Sequence, residues 1–480
     1  MKLAGKTARD ICATLGIKDP SGGRPGWKAT KNFFGDLLEH YFLLDPAKHS
    51  ESHPDFVEAE LELKLLPLKR GRGTLRVKEP TSISMIDYVH LRDETWSTAM
   101  VRPKLLHILF VFQVMEPEDL MASWYREVQV FEASDLDRAL FEADWTKTHQ
   151  WVLEGRAHEL SESQSIVLAA RRKGKGGPTE KMRRQPVTTF RADAPSRAWA
   201  LKCSFTQQIL DAKVLQHNFE AAFPHLADQI VHKGLNPIEN QVRALLAADE
   251  GRTLEEIAVE AGIPIARGKG LAARIMKRRL SIQDLRADIL EFEKLGISVK
   301  TLHLRERDGW PFEAVSFPAV NLRELAVEDF EGIEDEEGAP VKERSELADQ
   351  LERIFFITTH SPGREDPQEK RRLGKTFFWS ATPEQWRIIR KEWEMFRDEV
   401  AEGRAAYDRP CTELGRSNSL THSSDTKLIH MRPHARVACD EDTDPRENKV
   451  TRQSFWLNQA FIYSLIQEYD ALPPGANPKN

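Results

Sequence analysis

The residues best suited to chemistry lie in one short stretch. In LELKLLPL (61–68), strand alternation places Glu62 and Lys64 on one face and Leu61, Leu63 and Leu65 on the other. Asp55 precedes Glu62 with six residues between them, so a turn or strand just upstream would bring a second carboxylate alongside. Two carboxylates suit a hard divalent cation such as magnesium, which takes oxygen ligands and keeps waters. Such an ion polarises a phosphate and lowers the pKa of bound water, and a neighbouring lysine can orient that water and offset developing charge. The chemistry this spacing supports is hydrolysis of a phosphodiester. Acids and lysines are common on surfaces, so D-x6-E-x-K alone carries little weight, and an exposed charge pair on a strand edge is the competing reading.

The surrounding elements strengthen the case. A helix over 31–43 carries Lys31, Gly35 and Glu39, with Leu37, Leu38, Tyr41 and Phe42 as its buried stripe. An apolar strand KLLHILFVF (104–112) follows the motif and opens on Lys104. Farther on, residues 171–186 hold seven Lys/Arg against one Glu in a Gly/Pro-punctuated loop suited to phosphates. Residues 328–337 hold seven acids and no base, which reads as a solvated loop.

The chain also repeats itself. Thr7–Ile17 and Thr253–Ile263 share the pattern T-x-x-acid-Ile-small-x-x-x-Gly-Ile, an amphipathic helix closed by glycine. Matches continue in order: 31–39 with 269–277, 55–66 with 291–302, 104–112 with 350–358, 144–157 with 392–405, 168–174 with 429–435, and 199–205 with 455–461. The expected organisation is two diverged copies of one mixed α/β domain, 1–222 and 237–480, joined near 223–237. In the second copy Asp55, Glu62, Glu39 and Lys104 become Glu291, Ser298, Lys277 and Gln350, while Lys31 and Lys64 keep lysines at Lys269 and Lys300. A serine hydroxyl cannot replace a carboxylate on magnesium, so no cleavage is expected there.

The order K-x-x-x-G-x-L-L-E, then D-x6-E-x-K inside an apolar strand, resembles MutH and the related type II restriction endonucleases that cut at GATC. Val101-Arg102-Pro103-Lys104-Leu105, Arg171-Arg172-Lys173 and Trp199 to Thr206 resemble further family blocks in family order. The resemblance implies a restriction-endonuclease-like fold of the PD-(D/E)xK type. It makes Asp55 and Glu62 the magnesium ligands, Lys64 the water-positioning lysine, Glu39 an auxiliary acid, and Lys31 and Lys104 supporting bases. Arg171, Arg172, Lys173 and Lys202 would contact DNA, as would Arg432 and His434 of the second copy, whose Arg-Pro-His sequence is nearer the family's reading loop. Arg172 stands where the family has proline, and Ala200 where one member reads methylation with tyrosine, so sequence preference is left open.

The expected function is magnesium-dependent cleavage of double-stranded DNA at a short palindrome, with the second copy binding a further site and a homodimer bridging two sites. The rivals are a strand-nicking repair nuclease and a DNA-binding regulator without catalysis. Four scattered cysteines without a CxxC pair argue against a disulfide framework and fit a reducing cytoplasm. The N-terminal residues lack a signal peptide's apolar core, no apolar run approaches a membrane span of roughly 20 residues, and no small-molecule cofactor is expected.

Overall fold

The computed structural model describes residues 3–23, 33–44, 53–70, 75–174, 182–186, 193–211, 236–265, 270–280, 292, 295–334, 340–413, 416–435, 437 and 439–471. The chain divides into two compact units, Met1–Gly234 with Ile333–Val341, and Leu235–Gly332 with Lys342–Asn480. Among the described residues, no helix is long and apolar enough to cross a membrane.

The first unit opens with α1 (Ala8–Leu15). Thr7 caps it in a reciprocal box with Asp10, and Gly16 ends it in the left-handed region (φ 69°). Helix α2 (Phe33–Tyr41) buries Leu37, Leu38 and Tyr41 against Ile11, Cys12 and Leu63, forming the pocket of core behind the strand that begins at Glu62. The chain then runs through β1 (Glu62–Arg70), β2 (Leu75–Val77), β3 (Thr81–Met85), α3 (Arg102–Leu106), β4 (His107–Val114), β5 (Trp124–Glu132), α4 (Asp135–Leu153), β6 (Leu168–Arg172), β7 (Arg197–Leu201) and α5 (Cys203–Asp211). One sheet has the order β2-β1-β4-β5 and a second β3-β7-β6. β1 and β4 run parallel, with Glu62 opposite Ile108 and Lys64 opposite Phe110. A parallel pair needs a long crossover and cover on both faces. Accordingly β4 reads as a continuous apolar run, with Ile108, Phe110, Val111, Phe112 and Val114 fully buried.

The second unit holds α6 (Asn236–Ala247), α7 (Leu254–Glu260), α8 (Leu271–Arg279), β8 (Ile297–Arg305), β9 (Val315–Ala319), α9 (Glu346–Leu351), β10 (Arg353–Ser361), β11 (Arg372–Trp379), α10 (Pro383–Ala401), β12 (Ile429–Pro433), β13 (Gln453–Leu457) and α11 (Gln459–Ala471). Its sheets have the orders β8-β10-β11 and β9-β13-β12. β8 and β10 are parallel, with Ser298 opposite Ile354 and Lys300 opposite Phe356. That is the β1/β4 register, residue for residue, under the matches read from the sequence. Other details recur in both units. Thr253 caps α7 in the same box that Thr7 makes, and the isolated bridges Thr7↔Trp124 and Thr253↔Arg372 tie these caps to the first residues of β5 and β11. Helices α4 and α10 both span 19 residues and both start on a capping box, at Ser134 and Thr382.

Three expectations are corrected. Residues 104–106 belong to helix α3, not to the following strand, because Pro103 occupies its first turn and preorganises a helical start. Cys411 and Cys439 form a disulfide, 28 residues apart in sequence. The pairing is made by the fold, which brings the segment after α10 beside the segment after β12, and spacing alone does not show it. The argument for a reducing compartment therefore loses its basis. The acidic run is not simply a solvated loop: Phe330 is fully buried between Trp386 and Trp393, and Glu331 accepts from the Trp386 indole and pairs with Arg390. Residues 335–337 of that run, and 175–181 of the basic loop, lie outside the described residues.

Strand β11 carries Gly374 beside an irregularity in the β10/β11 pairing between Ile357 and Thr359. A Cβ there would overlap the Thr358 hydroxyl and the His360 ring, and Thr358 is held by donating to the Lys375 carbonyl at 2.7 Å. Gly374→Ala is expected to destabilise the second unit by about 1–3 kcal/mol. Thermal unfolding followed by circular dichroism would show this as a melting point lower by several degrees. An unchanged melting point would mean that the strand pair gives way freely.

Candidate active site

The spacing between Asp55 and Glu62 is produced by a tight hairpin. Phe56 and Leu61 exchange backbone hydrogen bonds (2.9 and 3.2 Å) around a single 3-10 turn, Val57–Ala59, with Glu60 in the left-handed region (φ 50°). This folds Asp55 back onto β1, where its Oδ2 accepts from the Leu63 amide at 2.8 Å. The six intervening residues are thus what the turn requires.

Glu62 begins β1 and is only 1% exposed. Lys64, two residues on and on the same face, places Nζ 2.7 Å from Glu62 Oε1. Lys104 reaches the same carboxylate from α3, with Nζ 3.6 Å from Oε2, and is itself buried. The parallel β1/β4 pairing makes this convergence possible: it sets the entry to β4, and hence α3, at the same end of the sheet as Glu62. An ionised carboxylate held this deep survives only with compensating charge. Two ammonium groups supply it.

Glu62 Oε2 is buried and accepts no hydrogen bond among the described residues. Together with Asp55, it offers oxygen donors of the kind a hard divalent ion takes alongside waters and substrate oxygens. Among the described residues, no three His, Cys, Asp or Glu side chains converge as a closed metal cage. Glu39 lies on α2, whose Leu37, Leu38 and Tyr41 pack with Leu63 of β1. Lys31 lies outside the described residues, and His53 is exposed.

The residues expected to touch DNA divide sharply. Arg171 is 2% exposed and faces Glu162 at 3.5 Å. Lys173 is 1% exposed and donates to Ser82 Oγ at 2.7 Å. Lys202 is also buried and donates to the Ser165 carbonyl at 2.7 Å. These three are engaged inside the unit, while Arg172 is half-buried. In the second unit the side chains of Arg432 and His434 are exposed. The Arg432 guanidinium lies 3.8 Å from the centre of the Trp456 ring, and His434 packs edge-on against the same ring. The sequence reading overlooked Trp456, which aligns with Ala200 and fixes both candidate contact residues in place.

The second unit's counterpart of the active site is closed by its own lysine. Lys300 donates to the Ser316 carbonyl at 2.8 Å, joining its two sheets, and lies 4.7 Å from the Phe317 ring centre. Ser298 stands at the Glu62 position in the register. Glu291 and Lys269 lie outside the described residues, and Lys277 and Gln350 lie on α8 and α9.

Comparison with known proteins agrees with the local geometry. Residues 44–144, which contain Asp55, Glu62, Lys64 and Lys104, match the family model of the DNA mismatch repair enzyme MutH. The type II restriction enzyme Sau3AI of Staphylococcus aureus is 26% identical over 475 residues, covering 92% of this chain and 93% of that enzyme. The DNA mismatch repair protein MutH of Shewanella woodyi is 25% identical over 211 residues, covering 43% of this chain and 86% of that protein. That of Vibrio cholerae is 25% identical over 215 residues, covering 44% and 90%. The first unit is thus similar to the MutH family over the stretch that holds these residues, and a type II restriction enzyme is similar to the chain along nearly its whole length.

Proposed function

We propose that the first unit is the catalytic domain of a type II restriction endonuclease that hydrolyses phosphodiester bonds in double-stranded DNA. The observation that carries this reading is the buried Glu62 carboxylate, flanked by Lys64 and Lys104 and joined by Asp55 across the hairpin. Asp55 and Glu62 would hold magnesium, which when bound polarises the scissile phosphate and acidifies a water. Lys64, as an ammonium beside Glu62, would orient the attacking water and offset charge on the phosphorane-like transition state. Lys104 would hold Glu62 in place from α3. The products would carry 5′-phosphate and 3′-hydroxyl ends, and GATC is the site that the family resemblance implies.

The second unit reads as a diverged copy of the first, supported by the shared element order, the residue-for-residue strand registers and the paired capping details. Its part would be to bind a further recognition site through Arg432 and His434 and so favour cleavage. With one catalytic centre per chain, a double-strand break would come from two protomers bridging sites.

Digestion of a plasmid bearing several GATC sites tests the first proposal. Cleavage with magnesium, none with EDTA, and a rate at least about 100-fold lower for Lys64→Ala are the expected results. DNA that is shifted on a gel but not cut under any divalent metal would leave a binding protein in place of the enzyme.

Burial pulls the Lys300 pKa down to about 8 from its ordinary 10.5. Below pH 8 both folded and unfolded chains carry this proton, and the folded state bears the cost of burying it. Between about 8 and 10.5 only the unfolded chain binds it, so the folded state gains relative stability as pH rises. Urea unfolding of wild type and Lys300→Met is therefore expected to show a stability difference that moves in favour of wild type across this range. A flat difference would mean that Lys300 stays charged throughout.

A further inference from the structure

Helix α4 leaves the edge strand β5 of the catalytic sheet and carries Asp144, which is almost wholly buried. Its carboxylate accepts from three successive amides: Ile166 at 2.7 Å on Oδ1, and Val167 at 2.7 Å and Leu168 at 2.8 Å on Oδ2. Leu168 is the first residue of β6, the strand that ends at Arg171 and Arg172. From the other side, Lys202 holds the same segment, with its backbone N–H donating to the Val167 carbonyl at 3.0 Å and its ammonium to the Ser165 carbonyl at 2.7 Å.

The second unit repeats this arrangement with different residues. Glu392 of α10 accepts from Lys427 at 2.5 Å, Leu428 at 3.1 Å and Ile429 at 2.9 Å, and Ile429 begins β12. Asn458 donates its backbone N–H to the Leu428 carbonyl at 2.8 Å and its side-chain amide to the Thr426 carbonyl at 3.0 Å. The hydrogen bonds coincide one for one under the sequence matches, although Asp has become Glu and Lys has become Asn. The second unit has lost the carboxylate of the hydrolytic centre yet keeps the clamp. A feature kept where cutting has gone serves what the two units still share.

We propose that Asp144 with Lys202, and Glu392 with Asn458, are positioning residues for DNA-sequence reading: each pair locks the strand that carries the base-contacting end to the helix leaving the large sheet. This rests on the proposed endonuclease function. The geometry explains the reach. β6 is five residues long, so the clamped end lies only about 13 Å from Arg172. It is also the outer strand of a three-stranded sheet, paired on one side to β7. Without the carboxylate, β6 can shift against α4, and donors at its far end lose the alignment that hydrogen-bonding to base edges demands.

The test is a comparison of wild type, Asp144→Asn, Asp144→Glu and Lys202→Met on one plasmid with magnesium, with cut ends sequenced. The readout is the ratio of cuts at the preferred site to cuts at its single-base variants. Asp144→Asn turns an amide donor toward backbone donors and is expected to lower the ratio about tenfold or more, the scale of one base contact. Asp144→Glu, which copies Glu392 and has a small cavity bordered by Thr148, Ser165 and Ala170 beside it, is expected to stay within about threefold of wild type. A merely structural role would lower the melting point and the active fraction but leave the ratio alone, and that result overturns the proposal. If Asp144→Asn does not fold, Lys202→Met is judged by the same ratio, and an unchanged ratio there overturns it equally. The variants are also scored for binding preference between a preferred and a one-base-altered duplex. A wild type that binds without cutting thus refutes the nuclease while still testing the clamp, and one that does neither refutes both.

Discussion

A carboxylate buried at the start of a central strand is the constraint around which the first unit is arranged. Glu62, 1% exposed, would by itself cost far more than any hydrophobic contact nearby returns. The fold answers with two ammonium groups from different elements. Lys64 comes free with strand alternation. Lys104 does not, and requires that β4 run parallel to β1 so that α3 arrives at the same end of the sheet. A parallel partner in turn requires the long crossover through β3 and the apolar cover of α1 and α2 on the outer face. The hairpin that returns Asp55 to the Leu63 amide completes the same local economy of charge and hydrogen bonds. Topology and chemistry are therefore one problem here.

The second unit shows what the same backbone does when that constraint is lifted. With Ser298 in place of the acid, the lysine two residues on has no carboxylate to neutralise, and it turns to the Ser316 carbonyl and the Phe317 ring. The site becomes a seam between two sheets rather than an opening for an ion. At the end of β12, Trp456 supports the exposed Arg432 and His434. An arginine stacked on an aromatic face keeps its fork oriented while leaving its edge available. The turn of Lys300 toward Ser316 and the stacking of Arg432 on Trp456 are thus separate physical features of this unit.

What could be read without coordinates follows from periodicity. Glu62 and Lys64 on one face, the leucines of α2, and the capped helix repeated at Thr7 and Thr253 are all local patterns, and the structure contains each of them. Lys104 was legible as a basic residue at the strand entry, but its helix was not, because a five-residue signal around Pro103 is short against the apolar run that follows. The burial of Arg171, Lys173 and Lys202 was not legible for a general reason. Composition assigns charged side chains to the surface, whereas a buried cation with a carbonyl, hydroxyl or carboxylate partner looks the same in sequence. The Cys411–Cys439 pairing and the burial of Phe330 inside an acidic run depend on contacts between distant segments and leave no local trace.

The clamp at Asp144 belongs to the same class of hidden feature, and its energetics argue that it is maintained for position rather than for stability. Burial pushes the Asp144 carboxyl pKa upward, opposed by the three amide donors and by the charge of Lys202. A buried ionisable group satisfied in this way stabilises little beyond what a neutral, well-packed side chain would. What it adds is direction: three amides of consecutive residues can meet one carboxylate in few arrangements, so the strand beyond them is left with little freedom to slide. Under the proposed function, with hydrolysis on one sheet and recognition on another, an error between the two would separate the site that is read from the bond that is cut. A rigid, charged hinge point between helix and strand removes that error at its source, and the same geometry built from Glu392 and Asn458 shows that the requirement is on the arrangement and not on the particular side chains.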